Sequence, residues 1–322
     1  IDRNIKMDNE KIDMNVKKNN RPLLAHVCIL MACVFWGLMS PLGKDAMMNG
    51  VDGICMVSFR VIGGAALFWL TSLFVKKERV PWRDRLLLAL VGLFGLVFNQ
   101  CCFTIGLNIT SPINASIVTT SMPIFAMLLA AVILHEPITG KKAVGVMMGC
   151  CGAVTLILTS ATTKGGQAGD LRGDLLCMAA QLSYALYLSL FNHLVRKYHP
   201  ITVNKWMFLW AVVEILPFTT SHLMANAWQM VPLTTWWETG FVVFFGTYVS
   251  YLLMMVAIST LRPTVVSTYN YMQPVTAVVV SVLTSMAVFK PSQALAMLLV
   301  FAGVGLVTKS KSKHDMQKAD EA

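Results

Sequence analysis

Of the 322 residues in this chain, 56% are hydrophobic and only 13% are charged. A soluble domain of this length needs far more charge to cover its surface, so the composition excludes an ordinary water-soluble protein. The apolar residues form stretches of about 20, the length of an α-helix that spans a ~30 Å hydrocarbon core; a membrane barrel needs alternating segments of about ten. We therefore predict an all-α integral membrane protein.

Ten apolar stretches follow one another along the chain, and each is predicted to be a transmembrane helix. Their approximate bounds are 23–47, 53–75, 85–108, 112–134, 141–160, 172–195, 202–222, 238–259, 264–288 and 292–308. The first stretch is longer than the hydrophobic region of a signal peptide, so we expect no cleaved leader and place the natural start at Met7 or Met14.

The net charge of +10 is typical of nucleic-acid-binding proteins, but its distribution indicates another role. With ten spans, both tails lie on one side, and the Lys and Arg residues split 21 to 4 between the two sides, with Arg60 inside a helix. Cytoplasmic loops of membrane proteins carry such an excess. We predict cytoplasmic N- and C-termini, an inner (plasma) membrane location and no bound nucleic acid.

The cysteines and histidines do not favour a metal site. All eight cysteines fall within or at the ends of apolar stretches without metal-ligand spacing, and the six histidines include no pair four residues apart. We expect neither a metal nor any other cofactor.

The chain repeats itself at an offset of 151 residues. The offset superimposes Phe94-Gly95 on Phe245-Gly246, Pro112 on Pro263, Ser116 on Ser267, Pro123 on Pro274 and Gly152 on Gly303; a similar offset of 148 superimposes Trp36 on Tyr184. Five helices per half is an odd number, so the halves enter the membrane from opposite faces. This predicts a 5+5 inverted repeat, an arrangement typical of secondary transporters.

The predicted organisation has five parts. They are a cytoplasmic tail (1–22), a first five-helix repeat (23–160), a periplasmic linker (161–171), a second five-helix repeat (172–309) and a cytoplasmic tail (310–322).

Several short motifs follow one another along the first half. They are Ala32-x3-Trp36-Gly37, Phe59-Arg60, Asn114-Ala115-Ser116, Pro123 and His135-Glu136-Pro137-Ile138-Thr139. In order and spacing this set resembles the EamA family of the drug/metabolite transporter superfamily. The resemblance implies solute transport by alternating access, since members export or exchange amino acids, purines, sugars and drug-like compounds. One departure is Ala287, which stands where the second half often repeats the glutamate at Glu136.

Polar residues inside the spans are the candidates for a solute site, because they are costly in hydrocarbon unless they face a cavity or another helix. Two polar faces precede matching prolines, Pro123 and Pro274, which are predicted to kink their helices near mid-membrane. Aromatic residues with polar tips lie within the spans nearby. The substrate-binding candidates are Trp36, Asn99, Ser116, Thr119, Tyr187, Tyr248, Tyr251, Ser267, Asn270, Tyr271 and Gln273. The alternative for each is packing, or hydrogen bonding between helices.

Two charges lie inside predicted spans, Arg60 in the second helix and Glu214 in the seventh. They share a predicted depth, so we expect either an ion pair between them or titration of Glu214 during transport; a purely structural role is the alternative.

The leading function is a secondary transporter of small organic metabolites, driven by protons or by exchange and acting as an exporter. A membrane-embedded lipid-modifying enzyme needs clustered acidic or histidine residues at one membrane face, and the spans offer only these two charges. A non-transporting receptor or subunit needs a large extramembrane segment, and the longest internal link is about a dozen residues.

Overall fold

The computed structural model describes residues 2–109, 118–161, 171–283 and 291–310, and within these ranges every regular element is a helix. In chain order the α-helices are α1 (Asp2–Met48), α2 (Gly53–Thr71), α3 (Trp82–Gly92), α4 (Asn99–Ile109), α5 (Met122–Ile133), α6 (Gly140–Ala161), α7 (Leu171–Leu190), α8 (Asn192–Lys197), α9 (Pro200–Ala225), α10 (Leu233–Val243), α11 (Ser250–Thr260), α12 (Pro263–Thr268), α13 (Met272–Leu283) and α14 (Pro291–Thr308).

Five helical segments of the described chain are long and apolar enough to cross a membrane. They are Pro22–Met39, Gly53–Thr71, Trp82–Gly106, Pro200–Ala225 and Leu233–Thr260. The prediction of an all-helical, multi-pass membrane protein is therefore confirmed. The first helix is longer than predicted, because α1 begins at Asp2 inside the segment assigned to a tail.

Two of the long helices contain a π-helical turn, which the sequence analysis did not predict. The first, Leu93–Phe98, joins α3 to α4, and the second, Phe244–Val249, joins α10 to α11. The second starts 151 residues after the first (93 and 244), the offset found in the sequence. A π-turn accommodates one extra residue and commonly marks a functional position.

The helices pack in reciprocal pairs. Helix α1 packs against α11 and α13, and its predicted repeat mate α7 packs against the corresponding helices α4 and α5. The remaining major contacts join α2 to α9 and α6 to α14, each a helix of one half with its counterpart. The core therefore lies where the two halves meet.

The backbones of α6 and α14 are in direct contact. A Cβ atom added to Gly303 would lie 2.6 Å from the backbone nitrogen of Gly149, and one added to Gly145 would lie 2.8 Å from the carbonyl oxygen of Gly303. In a membrane, where no hydrophobic effect drives helices together, small residues allow this close approach.

The two symmetric prolines lie at helix starts and do not kink continuous helices. Pro123 is the second residue of α5, after a turn at 120–121. Pro274 is the third residue of α13, after the 3-10 turn Tyr269–Tyr271. A proline in the first turn sacrifices no hydrogen bond, because those N–H groups have no partner within their own helix. The predicted kinks are therefore helix breaks that precede each proline.

Candidate functional site

Trp36 reaches from α1 across to the second half. Its indole Nε1 donates a hydrogen bond of 3.0 Å to the carbonyl oxygen of Gly246, inside the second π-turn. Its ring meets those of Tyr184 and Tyr251 edge-on, with centroids 6.5 and 6.2 Å apart. Trp36, proposed from the sequence as a binding residue, therefore lies among aromatic side chains of the second half.

A polar network crosses the centre of the molecule next to this aromatic group. Arg60 is buried, with 7% of its surface exposed, and its Nε donates to Thr247 Oγ1 over 2.9 Å while Nη1 donates to Gln100 Oε1. Gln100 Nε2 donates to the Tyr251 hydroxyl (3.2 Å), which donates to the carbonyl oxygen of Gly95 (3.3 Å). We call Arg60, Gln100, Thr247 and Tyr251 the Arg60 network.

The two intramembrane charges do not pair with each other. Both hydrogen bonds of Arg60 go to neutral side chains, and no ion pair joins it to Glu214 in the described part of the chain. The Oε2 atom of Glu214 is buried and has no hydrogen-bond partner among the described residues. A shared depth fixes only one coordinate of a residue in a membrane. It does not fix the direction in which the side chain points around its helix.

A second polar group forms beside α1 at the start of α13. Asn270 Nδ2 donates to Met122 Sδ over 3.3 Å, and its Oδ1 accepts from Gln273 Nε2 (3.0 Å) and from Cys33 Sγ (3.8 Å). These contacts join α1, α5 and α13. The face predicted from Asn270 and Gln273 thus turns toward the helix that carries Trp36.

Other predicted binding residues bond to groups of the protein itself. Tyr271 donates to the carbonyl of Val146 (3.1 Å), Tyr187 contacts Met255 Sδ (3.6 Å), Asn99 donates to the carbonyl of Ala180 (2.9 Å), Tyr248 shares a hydrogen bond with Thr71 (2.7 Å), and Ser267 donates to the carbonyl of Thr264 (2.8 Å). Thr119 is half-buried before α5, and Ser116 lies outside the described residues. In this structure most of these side chains form hydrogen bonds between helices or with a carbonyl group of their own helix.

Sequence reasoning missed Thr247, a partner of Arg60, and did not place Gln100 among the substrate-binding candidates. The signal that points to Gln100 was present, because the offset of 151 superimposes it on Tyr251. Thr247 lies in the second π-turn, where its hydroxyl also donates to the carbonyl of Val242, five residues earlier. No sequence pattern predicts the position of this π-turn.

Two cavities flank α2. A cavity of about 30 Å³ lies among α2, α4 and α9, lined in part by Val57, Thr104 and Thr219. Val57 is one helical turn from Arg60, and Thr104 one turn from Gln100, so this cavity adjoins the Arg60 network. A larger cavity, about 310 Å³, lies between α2 and α10 against Phe59 and Trp236.

Comparison with known proteins gives a consistent set of relatives. An uncharacterized transporter of Archaeoglobus fulgidus is 26% identical over 192 residues, 60% of this chain and 66% of the relative. The uncharacterized transporter YetK of Bacillus subtilis is 21% identical over 260 residues, 80% of this chain and 79% of its own. A WAT1-related protein of Arabidopsis thaliana is 22% identical over 329 aligned positions, 91% of this chain and 85% of its own.

The fold also matches a solved structure. A protein of known crystal structure superimposes with a TM-score of 0.71 at 17% identity, covering 89% of this chain and 98% of its own. The model of the EamA-like transporter family matches residues 23–158 and again residues 171–309. These names indicate a transporter and not an enzyme. The chain belongs to the EamA-like transporter family, within the drug/metabolite transporter superfamily.

Proposed function

We propose that this chain is a secondary transporter that exports small organic metabolites, amino-acid-like, nucleobase or drug-like, by alternating access. Family membership gives a membrane transporter of the drug/metabolite type. The direction, the solute class and the mechanism are our proposal.

The observation that carries the proposal is the Arg60 network. Polar side chains inside a membrane are expensive and typically line a solute or ion pathway. Here an arginine from α2, an amide from α4, a hydroxyl from the second π-turn and a phenol from α11 converge beside Trp36. They converge where the two halves meet, which is where alternating-access transporters hold their solute.

We further propose that the chain spans the membrane ten times in a 5+5 inverted repeat and that both termini are cytoplasmic. We also propose that it lies in the inner (plasma) membrane. Support comes from the two family matches, the common offset of the π-turns and the reciprocal packing of α1 and α7. The domain bounds 23–160 and 172–309 follow from the same proposal.

Proton coupling through Glu214 is the coupling mechanism we propose. The carboxyl group lies within the apolar helix α9 with one oxygen buried and, among the described residues, unpartnered. A carboxylate in such surroundings is costly, so uptake and release of a proton can be tied to opening and closing of the site.

An untargeted metabolite comparison followed by flux measurement tests the proposal. Cells with and without the protein are compared for internal and external metabolites, and each solute that changes is loaded into proteoliposomes. We expect at least one solute to cross proteoliposomes under a proton or solute gradient and not to cross protein-free vesicles. If every hit fails to show gradient-dependent flux, the transporter proposal is wrong.

A further inference from the structure

Arg60 is a buried cation whose partners are all neutral. It donates from Nε and Nη1 to Thr247 and Gln100, and no ion pair to a carboxylate is found for it in the described ranges. Its Nη2 donates to none of the described residues. A guanidinium carries five N–H donors and stays charged. Some donors of Arg60 therefore have no acceptor, and its charge has no counter-ion, among the described residues.

Buried charges in proteins are normally paired, and inside a membrane the requirement is stronger. Glu214, the carboxyl group predicted from the sequence to pair with Arg60, does not pair with it in this structure. Lys142, another buried cation, is balanced by Glu136 at 2.6 Å. Arg60 therefore differs from Lys142, the other buried cation of the described chain, in having no counter-ion among the described residues.

We infer that the transported solute carries a carboxylate and that Arg60 is its counter-ion, an inference that rests on the proposed transport function. A carboxylate matches the planar fork of a guanidinium and brings a single negative charge. Arg60 is the one Lys or Arg that lies more than four residues from both ends of a predicted span. A phosphate monoester carries nearly two charges and would leave one unbalanced.

Space and unused polar groups adjoin the network. The cavity of about 30 Å³ begins one turn from Arg60, and the buried hydroxyl of Thr219 in its wall has no hydrogen-bond partner among the described residues. Tyr184, beside Trp36, is 6% exposed as a residue. Its buried hydroxyl likewise has no hydrogen-bond partner in the described chain.

The surroundings also limit the rest of the solute. The cavity has mainly apolar walls, with Val57 and Ile215 among them, and the packed rings of Trp36, Tyr184 and Tyr251 lie beside the Arg60 network. A carboxylate with a largely apolar body fits such surroundings.

The first arm of the test uses the unaltered protein. Metabolites whose external amount depends on the protein are sorted by whether they carry a carboxylate, and we expect those that then show gradient-dependent flux in proteoliposomes to carry one. Flux of solutes that lack a carboxylate would overturn the inference and leave the transporter proposal standing. Absence of flux for every solute contradicts both.

The second arm substitutes the arginine. For a carboxylate that the wild type transports, Arg60→Gln should raise KM at least tenfold, and Arg60→Lys should recover part of the loss because it restores charge but not the fork. Arg83→Gln removes one cation at an exposed position and should leave KM unchanged. The methyl ester of the same solute should be transported poorly by the wild type.

Two outcomes of this arm count against the inference. They are a wild-type KM in Arg60→Gln, and equal transport of acid and ester by the wild type. If Arg60→Gln fails to fold, as judged by its elution and thermal melting in detergent, Arg60→Lys and the ester comparison still decide the question.

Discussion

Gln100 and Tyr251 stand 151 residues apart, at equivalent positions of the repeat, and hydrogen-bond to each other: Gln100 Nε2 donates to the Tyr251 hydroxyl over 3.2 Å. In the inverted repeat proposed above, a residue that bonds to its own repeat mate lies close to the axis relating the two halves. On that proposal the pair marks the centre of the molecule, where the two halves carry different side chains.

Tyr251→Phe tests what this central bond contributes. The substitution keeps the ring but removes the hydroxyl, which leaves Gln100 Nε2 without its acceptor and removes the side-chain donor to the carbonyl of Gly95. A buried group left unsatisfied costs about 1–3 kcal/mol, so we expect the free energy of unfolding in detergent to fall by about that amount. Tyr248→Phe is the control, because Tyr248 is half-buried and its partner Thr71 also bonds to Leu67. Equal losses in both variants would contradict the central role of Tyr251.

Gly303→Ala tests the contact between α6 and α14. The added methyl group would lie 2.6 Å from backbone atoms of α6, which cannot move aside as a flexible side chain can. Overpacking of this kind costs about 1–3 kcal/mol. Gly305→Ala, on the same helix, meets nothing within 4 Å and should be neutral or slightly stabilising. Thermal melting of the two purified variants gives the comparison. If Gly303→Ala is as stable as Gly305→Ala, α6 and α14 can move apart without a loss of stability, and the prediction is wrong.

Glu136→Gln tests the buried ion pair at the cytoplasmic end predicted for α5 and α6. Lys142 is only 1% exposed and Glu136 11%, with their charged atoms 2.6 Å apart. Removing one partner of a buried pair costs about 3–5 kcal/mol because the other charge is left uncompensated. The double variant Glu136→Gln/Lys142→Met should therefore be more stable than Glu136→Gln alone. Unfolding measurements on the four proteins of this cycle give the coupling free energy, and additive losses would refute the pairing.

Glu214→Gln tests proton coupling. The amide has the size of the carboxyl group but cannot gain or lose a proton, so we expect the pH dependence of flux in proteoliposomes to flatten and transport to uncouple from the proton gradient. Glu78→Gln, which alters an exposed carboxylate on the link between α2 and α3, should retain the wild-type pH profile. A full rate with an unchanged pH profile in Glu214→Gln would end the coupling proposal.

Hydropathy predicted the helices well because span length and apolar composition are local properties of the chain. The stretch 202–222, for example, corresponds to the helix Pro200–Ala225, and 53–75 to Gly53–Thr71. The offset of 151 residues is also present in the structure, since it separates the starts of the two π-turns.

Side-chain partners were harder to predict because they depend on how each helix is rotated about its axis. Arg60 and Glu214 share a predicted depth but do not pair, whereas Thr247, on a helix far along the chain, contacts Arg60. The π-turns add to the difficulty. Each shifts the residues that follow it around the helix by one position, so a regular α-helical wheel misplaces everything beyond Gly95 and Gly246.

The π-turns also bear on how the protein assembles. The Gly95 carbonyl accepts its bond from Tyr251, and the Gly246 carbonyl accepts its bond from Trp36, so each turn depends on a donor from the other half. Hydrocarbon supplies no water as a substitute donor. During synthesis the segment Trp82–Gly106 enters the bilayer before Tyr251 exists, so we expect it to insert as an unbroken α-helix. Its π-turn would then form only after the second half has inserted and packed against it. The change from α-helix to π-turn would therefore mark completed folding.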